Sequence, residues 1–160
     1  MRELYGGLWH TTHPRRFKAI LASRALLPDP EVPDGDRWGT SQGPDHYPYV
    51  RTLGGISLFD FDQFDAEKYS ERCPSSSWCE FVPYQQHWGC SVWIEIDRIQ
   101  AGPQLISGPD LVARWKADSA YGHKIMPYIE TAHLGPLPRT AFKRAFLVRE
   151  EDDQFSSLDV

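Results

Sequence analysis

The spacing of hydrophobic and polar positions changes several times along the chain, and each change marks a predicted element. Glu3 to Thr12 is short and aromatic-rich, which predicts a first strand ending in Leu8-Trp9-His10-Thr11-Thr12. Thr12 or His13 then caps a helix whose first turn takes Pro14, because proline has no N–H to lose there. The helix is expected to run to about Leu27. Phe17, Ile20, Leu21, Ala25 and Leu26 approximate a buried helical stripe, which leaves Arg15, Arg16, Lys18 and Arg24 pointing outward.

From Pro28 to Pro48 the periodicity is lost: five prolines, three glycines and many aspartates punctuate the chain and predict a long irregular loop. Such loops are uncommon in compact domains unless they are lids, binding segments or disordered. Tyr49 to Phe61 reads as two extended pieces around Gly54-Gly55, or as one strand broken by a bulge. Asp62 to Ser77 accommodates a short helix and a Ser-rich turn. Cys90 to Asp97 alternates cleanly and predicts a half-buried strand with Val92, Ile94 and Ile96 on one face. Pro109 to Ala117 is a helix that starts at proline, Ile125 to His133 is extended, and Ala145 to Arg149 is a last strand. There is no internal repeat. The acidic tail from Glu150 is expected to fray.

This order lacks regular βαβ alternation, so the chain is expected to be an α+β domain over residues 1–150, followed by a flexible acidic tail over 151–160. A length of 160 residues suits one core, and 13% aromatic residues can fill it and still line a pocket. A formal net charge of -5 supplies no broad cationic field for long nucleic acid, although a local basic patch is compatible with it. Cys73, Cys79 and Cys90 are odd in number and lack CxxC spacing, which argues against a disulfide framework. Cys79, Cys90, His123 and His133 fit no compact zinc pattern, so no metal site is expected. Trp78, Trp88, Trp93 and Trp115 are expected in the core or at its rim. No apolar run approaches 18 residues and no charged-then-apolar leader opens the chain, so a cytoplasmic protein without a membrane partner is expected. GxGxxG, P-loop, GxSxG and HExxH motifs are absent.

Two distant segments carry a resemblance. Leu8-Trp9-His10-Thr11-Thr12, together with Ile129-Glu130 and its exit Leu134-Gly135-Pro136-Leu137-Pro138, resembles the two outer walls of the nicotinamide pocket in ADP-ribosyltransferase-like proteins. With Phe17-Lys-Ala-Ile-Leu and Leu26-Leu-Pro, the similarity is closest to the DNA-modifying DarT-like toxins and related bacterial branches, and it touches about half of the chain. The resemblance implies two small, packed, mostly antiparallel sheets with short flanking helices. It further implies NAD as substrate, a protein, DNA or RNA acceptor, and an antitoxin or immunity protein as a partner to look for.

Cleaving the nicotinamide–ribose bond passes through an oxocarbenium-like state, which a carboxylate beside the ribose favours over the ground state. Glu130 is the candidate, and the same group can deprotonate an acceptor. By the resemblance, His10 binds a ribose hydroxyl and Thr11 positions it or donates to the carboxamide. The middle wall falls to Tyr49 or Ser57, with Phe59 in place of a stacking tyrosine, and Arg51 can reach a pyrophosphate through paired donors. Each has a plainer reading: Glu130 on a solvated strand face, His10 as a surface cap, Phe59 in the core, Arg51 on a strand surface. Rival functions are a nucleotide-binding or protein-interaction module without turnover, and an RNA 2'-phosphotransferase of the same fold. The latter uses Arg and His in place of the glutamate, so Glu130 argues against it. A cleft joining His10 to Glu130 would favour an enzyme over an interaction domain.

Overall fold

The computed structural model describes residues 1–151 and 154–160. Asp152 and Asp153, part of the expected tail, lie outside the described residues. The first strand, β1 (Leu8–Thr12), enters α1 (Pro14–Ser23) through His13, whose Nδ1 accepts the Arg15 N–H at 3.1 Å. The helix stops short of Leu27 because Arg24 adopts a left-handed conformation at φ 60°, and Ala25–Leu26 form a short strand, β2. The 28–48 segment is irregular apart from two single 3₁₀ turns.

The next segment is not extended as expected. Tyr49–Thr52 form one helical turn, α2, after Pro48, and Gly54 at φ 65° reverses the chain into β3 (Gly55–Asp60). The chain continues through α3 (Ala66–Arg72), β4 (Cys90–Ile96), α4 (Arg98–Ala101), β5 (Leu105–Ile106) and α5 (Gly108–Ala117). It ends with β6 (Glu130–Leu134), β7 (Leu137–Pro138), β8 (Phe142–Arg149) and β9 (Ser156–Leu158).

The fold is α+β. Seven strands form one antiparallel sheet in the order β5-β6-β3-β1-β4-β8-β9, and β2 pairs with β7 as a separate ribbon. One large sheet and a small ribbon thus take the place of the two small sheets expected. Beyond the undescribed pair, the end of the chain does not fray: Ser156–Leu158 pair with Ala145–Leu147 and cover the sheet edge.

Both faces of the sheet are covered, which is why β4 is buried on both sides rather than half-buried. Phe17, Ile20 and Leu21 of α1 pack with Leu8, Leu58 and Ile94 on one face. Trp9, Phe59, Phe61 and Trp93, each no more than 3% exposed, form an aromatic core on the other. This aromatic layer supports the strand ends from which the candidate site is built.

Candidate active site

A parting of two neighbouring strands opens the site. β1 pairs with β3 only at Leu8↔Asp60 and Trp9↔Phe59, yet it stays paired with β4 as far as Thr12↔Val92. Beyond Trp9, therefore, β1 leaves β3. The His10 ring sits at this gap, with Nδ1 3.1 Å from the Ser57 carbonyl oxygen. A carbonyl only accepts, so Nδ1 carries the proton and the neutral ring keeps Nε2 as an acceptor. Burial pushes the His10 imidazolium down to about 4 against the Ser57 carbonyl, and the nearby Arg16 charge adds to the fall. His10 is neutral at pH 7.

Glu130 opens β6 opposite Phe59 and is 2% exposed, so it does not lie on a solvated face. Its Oε1 accepts the Ser57 hydroxyl at 2.6 Å and its Oε2 accepts the Met126 N–H at 2.9 Å. The Glu130 N–H in turn donates to the Met126 carbonyl at 3.0 Å, which clamps residues 126–130 as a closed turn. The extended reading of Ile125 to His133 therefore holds only from Glu130 onward. Burial raises the Glu130 pKa, against the Ser57 and Met126 donors that favour the carboxylate. Ser57 bridges the pair: its carbonyl holds His10 and its hydroxyl holds Glu130.

Within that turn Tyr128 has φ 67°, with the Arg72 guanidinium 3.9 Å from its ring centroid. Gly108, at the start of α5, packs so closely that a Cβ there would lie 2.1 Å from the Tyr128 carbonyl oxygen. Gly108→Ala is expected to force the turn or the helix aside and to cost about 1–3 kcal/mol. Thermal denaturation checks this. A melting temperature equal to the parent's would show that the contact relaxes without cost.

His10, Ser57 and Glu130 face one cleft of about 760 Å³, within the usual range for a small-molecule site. His10, Thr11, Arg51, Ser57, Phe59 and Glu130 all line it. Thr11 Oγ1 and Arg51 Nη1 are buried there without a hydrogen-bond partner among the described residues. Phe59 is also core, stacked at 10° to Phe61 with centroids 5.8 Å apart. Tyr49 is not brought to the cleft: its ring packs with Val50 and Leu111, and its hydroxyl donates to Asp118. Burial first, then that carboxylate, pushes the Tyr49 hydroxyl up to about 12.

The 28–48 loop, or lid, lines one side of the cleft with residues that include Pro28, Val32, Arg37 and Trp38. Arg37 ties it internally to Asp29 at 3.0 Å and to the Val32 carbonyl at 2.9 Å, and Trp38 donates to Glu80 at 3.1 Å. Arg16, read from the sequence as outward, instead lines the cleft with Ala19, Ile20 and Ser23. These positions recur at three- and four-residue spacing, so α1 turns a second face toward the cleft, with Ala19 and Ser23 still exposed. Trp38 and the Met126 N–H are further site groups the sequence did not single out, and Trp88, expected in the core or at its rim, lines the cleft as well. Trp88 lies under Arg16, whose guanidinium is 5.6 Å from its centroid.

The chain matches no family model and no curated protein. Among the described residues, no helix is long and apolar enough to cross a membrane, and no group of three or more His, Cys, Asp and Glu side chains could hold a metal ion.

Proposed function

We propose that the protein is an ADP-ribosyltransferase-like enzyme that cleaves NAD at the nicotinamide–ribose bond and passes ADP-ribose to a protein, a nucleic acid or water. The observation that carries this reading is Ser57, which ties a neutral His10 and a buried Glu130 to opposite sides of one residue in one cleft. A parted strand pair with an acceptor imidazole at the gap and a carboxylate at the next strand suits a ribose held by its hydroxyls.

Each Glu130 oxygen uses one lone pair on Ser57 or Met126, and its remaining acceptor capacity serves the substrate. His10 Nε2 accepts a ribose hydroxyl, and Thr11 Oγ1 supplies a partner for the carboxamide. As the C–N bond breaks, nicotinamide leaves neutral with the bonding electron pair and positive charge develops on the ribose. The fixed Glu130 carboxylate stabilises that charge without reorganising. It then takes the proton of the attacking acceptor or water. The Phe59 ring forms an apolar floor beside this site.

Incubation with NAD in cell extract, which supplies an acceptor, tests the reading through free nicotinamide. Release above that of extract alone is expected. An absence of release with properly folded protein would rule the enzyme reading out.

A further inference from the structure

Two arginines from different walls of the cleft reach one acidic turn of the lid. From α1, Arg16 donates through Nη2 to the Asp36 carbonyl. From α2, Arg51 donates through Nη2 to Asp34 Oδ1 at 2.9 Å and lies 3.9 Å from the Tyr47 ring centroid. The Tyr47 hydroxyl donates to the other Asp34 oxygen. Asp34 and Asp36 are the ends of a single three-residue 3₁₀ turn.

The partners differ in how firmly they are held. Arg51 is packed, with 25% of its side chain exposed and Nη1 buried without a partner among the described residues, and Arg16 is stacked on Trp88. The Asp34 side chain is 46% exposed and can turn to water. An ion pair of this exposure contributes little to stability, so exchanging it for another anion costs little. Guanidinium forks match phosphate oxygens bidentately, and both forks line the cleft alongside the lid.

We infer that Arg16 and Arg51 form the site for the diphosphate of the ligand, and that the Asp34–Asp36 turn is a built-in competitor which the diphosphate displaces. The inference rests on the NAD reading for the identity of the diphosphate carrier. The acidic turn engages both guanidinium groups; an incoming diphosphate takes over Arg51 from Asp34 and Arg16 from the Asp36 carbonyl. Removing the Asp34 charge should therefore strengthen binding, although it removes a native contact.

Titration calorimetry of ADP into the full chain at low ionic strength tests this. Asp34→Asn is expected to tighten ADP about threefold to tenfold. Arg16→Gln and Arg51→Gln are each expected to weaken it about tenfold or more, as for loss of a charged hydrogen bond. If these contacts only hold the lid in shape, Asp34→Asn weakens ADP along with the arginine variants or leaves it unchanged, and either result overturns the inference. So does an absence of ADP binding by the parent chain. Should Arg16→Gln not fold, the direction for Asp34→Asn and the loss in Arg51→Gln still decide. Because ADP lacks nicotinamide, the outcomes separate: nicotinamide release with no Asp34 effect removes this inference alone, whereas the expected ADP pattern without NAD cleavage removes the enzyme reading alone.

Discussion

Glutamine at position 130 is expected to reduce nicotinamide release about a thousandfold, the scale seen when a preorganised electrostatic or acid–base group is removed. The fold should survive and gain stability. The Glu130 pKa is raised in the folded chain, so near neutral pH the buried carboxylate costs folding energy that a neutral side chain does not. Glutamine can keep both contacts, with Oε1 accepting the Met126 N–H and its amide donating to the Ser57 oxygen, whose hydroxyl is free to rotate. A melting temperature above the parent's near neutral pH is expected. Kinetics and melting curves of Glu130→Gln read the two effects separately. Lost activity with a lower melting temperature would indicate a structural glutamate instead. In the parent, activity should fall as pH drops through a carboxyl group titrating above the ordinary glutamate range, because the reaction needs the ionised form.

Acid should also destabilise the protein through His10. Its folded pKa is lowered from 6.5 to about 4, so the unfolded chain binds the extra proton first. Stability from this group is present above about pH 6.5 and is lost as pH falls toward 4, by up to about 3 kcal/mol in all. His10→Asn can keep a donor to the Ser57 carbonyl without titrating. The difference in unfolding free energy between parent and variant, measured by denaturant titration, should narrow or reverse against the parent between pH 6.5 and 4. A constant difference across that range would mean that His10 is not held neutral. Glu130 titrates with the opposite sign but is common to both chains, so the subtraction removes it.

Local pattern carried much of the fold. The proline at the first turn and the helical spacing of Phe17, Ile20 and Leu21 located α1, and the alternation from Cys90 located β4. What it missed depends on tertiary partners. Ala25 and Leu26 continue the helical stripe in sequence, but they pair with Leu137 and Pro138 instead. Tyr49 to Thr52 has the aromatic and β-branched content of a strand, yet the turn after Pro48 and the burial of Tyr49 against Leu111 hold it helical. Ser156 to Leu158 looks too polar to order, and the open edge of β8 orders it.

The candidate site was legible as residue types and not as geometry. Ser57 and Glu130 come together through the Phe59↔Glu130 register, 73 positions apart in sequence. His10 faces Ser57 only because β1 departs from β3, and pairing registers are not written in either strand alone. Arg16 was hidden because its exposure depends on the lid, whose composition announces a loop without saying what it lines.

The most direct test is a crystal structure of Glu130→Gln with NAD. The proposed reaction predicts the nicotinamide-side ribose between His10 Nε2 and residue 130, each within hydrogen-bond distance. NAD bound with that ribose away from both residues would contradict it.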